Sequence, residues 1–156
     1  MFYRYHPSPL GSLLVAGDEQ GLRALYMDPH QQHAQTQWVP ATLQLDEVCR
    51  QLDEYFARKR EVFDLPLAPV GTPFQQNVWK TLLLIPYGRT WTYGEQARHL
   101  ANPKAIRAVG TANGANPISI IIPCHRVVGS NGTLVGYGGG IENKLKLLEL
   151  EGSWLI

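Results

Sequence analysis

The sequence predicts an α+β chain, with a small antiparallel sheet and one helix first and a mainly helical part after it. Three observations carry this. Short runs rich in aromatic and β-branched residues alternate with Pro/Gly turn signals over the first 26 residues. From Thr72 onward the pattern becomes one of helix starts, with Thr-x-x-Gln at Thr72 and Thr-x-x-Glu at Thr92. Between the two regimes, Ala68-Pro69-Val70-Gly71 reads as a linker. The expected division is a first domain over residues 1–67, a linker at 68–73 and a second domain over 74–156.

The candidate strands are residues 2–5, 12–16 and 22–26. Pro7-Ser8-Pro9-Leu10-Gly11 and Gly17-Asp18-Glu19-Gln20-Gly21 divide them, so a three-stranded antiparallel meander follows. Residues 28–41 show no period and read as a loop. Thr42 is placed to cap a helix running to about residue 58, with Leu45, Val48, Leu52, Tyr55 and Phe56 on one face. Cys49 borders that face and reads as a buried structural thiol. Residues 61–65 read as a fourth strand.

In the second part, Thr72-Pro73-Phe74-Gln75 is a helix start with Thr at the N-cap, Pro at N1 and Gln at N3. Phe74, Val78, Trp79 and Leu82 form the apolar face, and Pro86 and Gly88 stop the helix. A short helix from Thr92-Tyr93-Gly94-Glu95, a turn at Asn102-Pro103 and a third helix over 104–114 make a helix-turn-helix. The last helix covers 141–151, with Gly152 as its C′ residue.

An apolar fraction of 44% is enough for a core, and no apolar run reaches the length of a membrane span. Met1-Phe2-Tyr3-Arg4 does not begin a signal peptide, and the two cysteines, Cys49 and Cys124, lie far apart. A cytoplasmic protein with reduced thiols is the expectation. The histidines are scattered without zinc spacing, so neither a metal nor a cofactor is expected. The net charge of +1 hides an asymmetry: residues 1–71 carry −3 and residues 72–156 carry +4. From Thr72 to Gly140 the only acid is Glu95, the pattern of a surface that meets phosphates.

Ile120-Ile121-Ile122-Pro123-Cys124-His125-Arg126-Val127-Val128 sets a cysteine beside a histidine between β-branched runs. Residues 118–122 read as a buried strand that Pro123 stops, which puts the thiol at a strand end. A free thiol, with a pKa of roughly 8.5, is only slightly ionised at neutral pH, so a base must take its proton. His125 can do so, directly or through a water. An imidazole that gains a proton needs an orienting acid. The acids after Cys124 are Glu142, Glu149 and Glu151, all on the last helix, and the residues alone do not choose among them. Taken in isolation, a Cys-His pair reads rather as a core cysteine beside a surface histidine.

The second helix of the helix-turn-helix presents one long cation, Arg107, among alanines and glycines. Such a helix suits close, sequence-independent minor-groove binding with DNA distortion, or else ordinary tight packing. Gly136-Tyr137-Gly138-Gly139-Gly140 lets backbone approach a ligand, and its tyrosine points to a pocket wall.

Taken together, Asn116-Pro117, Pro123-Cys124-His125-Arg126-Val127, Gly136-Tyr137 and Leu148-Glu149-Leu150-Glu151-Gly152 resemble the O6-alkylguanine-DNA alkyltransferases. These are also called methylated-DNA–protein-cysteine methyltransferases, and the likeness, which covers residues 72–152, is to their stand-alone bacterial form. It implies a ribonuclease-H-like N-terminal domain and a winged-helix-like helix-turn-helix in the second. It implies a self-inactivating transfer of the alkyl group from O6-alkylguanine, and from O4-alkylthymine, in double-stranded DNA to the protein's own cysteine. By the resemblance, Cys124 is the acceptor, His125 the base acting through a water, and Glu151 the acid that orients it. Asn116 holds the active-site turn, Tyr93 contacts the guanine and the target phosphate, and Arg107 fills the stack after base flipping. Val127 and the Tyr137-Gly138 backbone line the pocket, with Lys144 nearby. A monomer is expected in solution; the sequence does not decide whether copies assemble cooperatively on DNA. The chain departs from some relatives in carrying Ser119 and Gly138 where they have proline and serine, and in lacking zinc ligands in its first part. Arg126 reads as one half of a structural ion pair. On the residues alone, two other readings stay open: a Cys-His-Glu hydrolase, and a non-catalytic protein that recognises alkylated DNA.

Overall fold

The computed structural model describes residues 1–27, 34–132, 134 and 136–153. Strands β1 (Phe2–Ser8), β2 (Gly11–Asp18) and β3 (Gly21–Met27) form the antiparallel meander. The turns fall where the Pro/Gly signals stand, with Ser8 opposite Gly11 and Asp18 opposite Gly21. Leu13, Val15, Leu25 and Met27 are fully buried and begin the core.

A two-residue strand, β4 (Val39–Pro40), adds parallel to β1, giving the order β3-β2-β1-β4. This corrects the loop reading for those residues; residues 28–33 of that loop lie outside the described chain. An edge pair this short, half of it proline, leaves no alternating pattern to read.

Helix α1 (Asp46–Phe56) starts later than its sequence suggests. Thr42 does not cap it: the Thr42 amide and hydroxyl both donate to Gln44 Oε1, at 2.9 and 3.3 Å, and spend the threonine on a local turn. Residues 61–65 form no strand either. There the Gln51 amide takes the place of a neighbouring strand, donating to Asp64 O at 3.0 Å and accepting from Asp64 N at 2.9 Å. The chain reaches the sheet two residues later, where Leu22 N donates to Pro66 O and Ala68 N to Leu22 O.

The second part comprises α2 (Pro73–Leu82), β5 (Trp91–Thr92), α3 (Tyr93–His99), α4 (Ile106–Gly114), a 3-10 turn (Cys124–Arg126), β6 (Val127–Val128) and α5 (Ile141–Leu150). Both capping boxes form, at Thr72/Gln75 and Thr92/Glu95. Helices α3 and α4 are joined by a reciprocal, buried amide pair, Gln96 Nε2 to Asn113 Oδ1 at 2.9 Å and Asn113 Nδ2 to Gln96 Oε1 at 2.8 Å. β5 and β6 pair in parallel, Trp91 opposite Val127.

Residues 118–122 are not a strand. Ile118 makes one bridge to Leu25, and the chain then coils into a tight turn in which Ile120 takes φ +71°. All five residues are buried on every side, so no period separates strand from turn. Cys124 therefore opens a 3-10 turn rather than ending a strand.

Candidate active site

The turn that carries the cysteine is held by Asn116. Its Nδ2 donates to Ile122 O at 2.8 Å and to Cys124 Sγ at 3.3 Å, while its Oδ1 accepts from Ile118 N at 3.0 Å. One side chain thus ties both ends of the coil to the thiol. Burial pushes the Cys124 thiol up, against the pull of the Asn116 hydrogen bond and the Lys144 charge, so the resting group is a thiol.

His125 is fully buried behind it. His125 Nε2 lies 2.8 Å from Glu151 Oε2. The same carboxylate accepts two hydrogen bonds from Arg126, Nε at 2.8 Å and Nη2 at 3.0 Å, and one from the Tyr55 hydroxyl at 2.6 Å. Burial alone would raise the Glu151 carboxyl, but the charges and hydrogen bonds of His125 and Arg126 outweigh it and hold it at about 2. An ionised carboxylate only accepts, so Nε2 carries the hydrogen and Nδ1 is the basic nitrogen. Nδ1 is buried and has no hydrogen-bond partner among the described residues. Burial also lowers the imidazole from its usual range, with Glu151 opposing, which keeps His125 neutral and able to accept a proton.

Lys144 is fully buried on α5, and its Nζ donates to Val127 O at 2.7 Å. Burial lowers this amine to about 8. Cys124 opens onto a pocket of about 220 Å³ lined by Tyr93, Gly110, Asn113, Gly114, Gly136, Tyr137 and Gly138. Burial raises the Tyr93 and Tyr137 phenols, so both remain hydroxyls. Gly139 allows the Tyr137 wall: a Cβ there would sit 2.8 Å from the Tyr137 ring.

The structure brings Cys124, His125, Glu151, Asn116 and Lys144 into one cluster and sets Tyr93, Tyr137 and Gly138 around its opening. Arg107 is exposed on α4, three and seven residues before the pocket-lining Gly110 and Gly114, and so on their face of the helix. Val127 is placed elsewhere. It is fully buried in the core and outside the pocket lining, and it meets the site through the carbonyl that Lys144 holds. Sequence reasoning missed Tyr55 and Asn113. The signal for Tyr55 was available: a tyrosine on a buried helix face needs a partner for its hydroxyl. Among the described residues no group of three His, Cys, Asp or Glu side chains could hold a metal ion, and no helix is long and apolar enough to cross a membrane.

The fold and site define a two-part α+β protein in which a helix-turn-helix lies beside a buried cysteine–histidine–glutamate cluster. The family model described as "6-O-methylguanine DNA methyltransferase, ribonuclease-like domain" matches residues 1–69, and "6-O-methylguanine DNA methyltransferase, DNA binding domain" matches residues 73–153. The chain is 50% identical over 155 residues to a methylated-DNA–protein-cysteine methyltransferase of Methanosarcina acetivorans, covering 98% of this chain and 99% of that one. It is 44% identical to the protein of the same name from Haemophilus influenzae, over 97% of this chain and 86% of the relative. The solved structure of Mycobacterium tuberculosis OGT in complex with DNA superposes with a TM-score of 0.92 at 50% identity, covering 98% of this chain and 94% of that one. The chain belongs to the 6-O-methylguanine DNA methyltransferase family.

Proposed function

We propose that this protein repairs O6-alkylguanine in double-stranded DNA by moving the alkyl group irreversibly onto Cys124. The observation that carries the reading is the placement of the Cys124 thiol at the base of a pocket beside α4, with a base–acid pair behind it. The names of its close relatives and the DNA-bound structure of one of them support it.

An alkylated guanine inside a duplex is out of reach of this thiol, so the base must be turned out of the stack, at a cost of a few kcal/mol. Arg107, on the same helix face as the pocket, fills the gap and offsets part of that cost. Tyr93 and the Tyr137-Gly138 wall hold the flipped base. The thiol proton passes through a water to His125 Nδ1, and Glu151 stabilises the imidazolium that forms. Sγ then attacks the alkyl carbon, the bond from that carbon to O6 breaks, and the purine takes a proton through Tyr93, whose hydroxyl is restored from solvent as His125 gives up the proton it took from the thiol. The products are guanine and an S-alkylcysteine. The C–S bond of a thioether is not activated for displacement and no residue of the cluster is placed to break it, so each molecule reacts once. Lys144, by holding the Val127 carbonyl, ties α5 to the cysteine turn. A division into residues 1–67 and 74–156 about a linker at 68–73, and a cytoplasmic location, belong to the same proposal.

The test mixes the protein with a duplex oligonucleotide containing O6-methylguanine in known ratio. The expected result is one added methyl group, located at Cys124 by mass spectrometry, with repair ending at one lesion per protein. Repeated turnover, or a methyl group on Cys49, would refute the mechanism.

A further inference from the structure

Tyr55 lies on α1, in the first part of the chain, 96 residues before Glu151 in sequence, yet its hydroxyl is 2.6 Å from Glu151 Oε2. That is the oxygen that also meets His125. We infer that Tyr55 is a positioning residue of the acceptor site: its hydroxyl fixes the Glu151 oxygen that orients His125 and tempers that carboxylate's pull on the imidazole. The inference rests on the reading of Cys124 as the alkyl acceptor.

Three observations support it. The Tyr55 side chain is fully buried, and its ring is packed against Phe56, Phe63 and Tyr87, with centroids 5.2, 5.3 and 6.4 Å away, so the hydroxyl arrives at a set position. Burial and the Glu151 charge keep the phenol protonated at every working pH, so toward the carboxylate it acts as the donor. A charge-assisted O–H···O⁻ bond of this length draws charge from the oxygen it shares with His125. The other charged and titratable groups around the pair are Arg126 on the 3-10 turn, Lys144 on α5, Tyr87 before β5 and Tyr137 at the pocket. Arg126 binds both Glu151 oxygens; Tyr55 binds only the one that faces the base.

The sign follows. Without the Tyr55 donor, Glu151 Oε2 holds the Nε2–H of His125 more strongly and favours the imidazolium. A base that is already protonated cannot take the thiol proton. The acid limb of the Cys124 reaction therefore moves to higher pH in Tyr55→Phe. A stronger donor at the same place, Tyr55→3-fluorotyrosine, moves it to lower pH.

The experiment measures alkylation of Cys124 by iodoacetamide across pH, with thermal melts of each variant alongside. On the acid limb Tyr55→Phe should react roughly 3- to 10-fold more slowly than the parent, and it should regain the parent rate above that limb. The fluorotyrosine variant keeps the ring and its packing, and carries the test even if Tyr55→Phe folds poorly. Opposite displacements of the two limbs support the role. Superimposable limbs, or an equal loss of rate at every pH, overturn it. Iodoacetamide needs no DNA. A protein with displaced limbs that accepts no methyl group from O6-methylguanine would refute the proposed function and leave the role of Tyr55 standing.

Discussion

Glu151 keeps its negative charge inside the protein because four hydrogen bonds, from Tyr55, His125 and Arg126, converge on it. Replacing it with glutamine removes that charge and leaves the Arg126 guanidinium buried without a counter-ion. Glu151→Gln should therefore cost about 3–5 kcal/mol in denaturant unfolding at neutral pH. Because the folded carboxyl is held at about 2, below its ordinary 4.5, its stabilisation is complete above about pH 4.5 and fades as pH falls toward 2. The gap in melting temperature between parent and variant should narrow over that interval; a gap that persists unchanged near pH 2 contradicts the ion pair. Ile120 poses a different residue-scale problem. A β-branched side chain at φ +71° is strained, and its 1% exposure shows what offsets the strain. Ile118 is equally buried without positive φ. Ile120→Gly should thus cost about 1 kcal/mol less than Ile118→Gly, since glycine at 120 relieves strain while both changes empty the core.

At the scale of elements, α4 decides what the thiol can reach. Its inner face is pinned to α3 through Gln96 and Asn113, and Trp79 Nε1 donates to Ala112 O at 2.8 Å. Its outer face carries Arg107 above Gly110 and Gly114, so the cation and the pocket share one helical surface. Arg107→Ala should slow repair of O6-methylguanine in duplex DNA about tenfold or more, because the vacated stack goes unfilled. Its reaction with free O6-alkylguanine base should stay near the parent rate; equal losses on both substrates would remove the stack-filling role. The thiol's own element is the coil over residues 118–124, which Asn116 closes from both ends. The charge asymmetry belongs to this scale too, since the surface around α3 and α4 carries Arg98, Lys104 and Arg107 with Glu95 as the nearby acid.

On the scale of the whole molecule, the ties between the two parts include the Leu25–Ile118 bridge, the Tyr55–Glu151 hydrogen bond and the contact of the Asn143 amide with the Met27 sulfur. A continuous core from Leu13 and Leu52 through Val78 and Val109 to Leu147 joins them. Calorimetry should find one unfolding transition with equal calorimetric and van't Hoff enthalpies, whereas two resolved transitions would show that the parts fold independently. The meander, the capping boxes at Thr72 and Thr92 and the last helix were legible in the sequence, because turn residues, caps and period act over a few neighbours. So was the cysteine–histidine pair, which is contiguous. Four features were not: β4, the turn over residues 118–122, the uncapped start of α1 and the Gln51–Asp64 substitute for a strand. Each depends on a partner that sequence spacing does not name. The same limit held at the site. Residue by residue, the sequence determined a thiol, a base and three candidate acids. The family resemblance pointed to Glu151 among them; tertiary packing supplied the physical reason and added Tyr55, because a buried carboxylate is stable only where donors from distant parts of the chain converge.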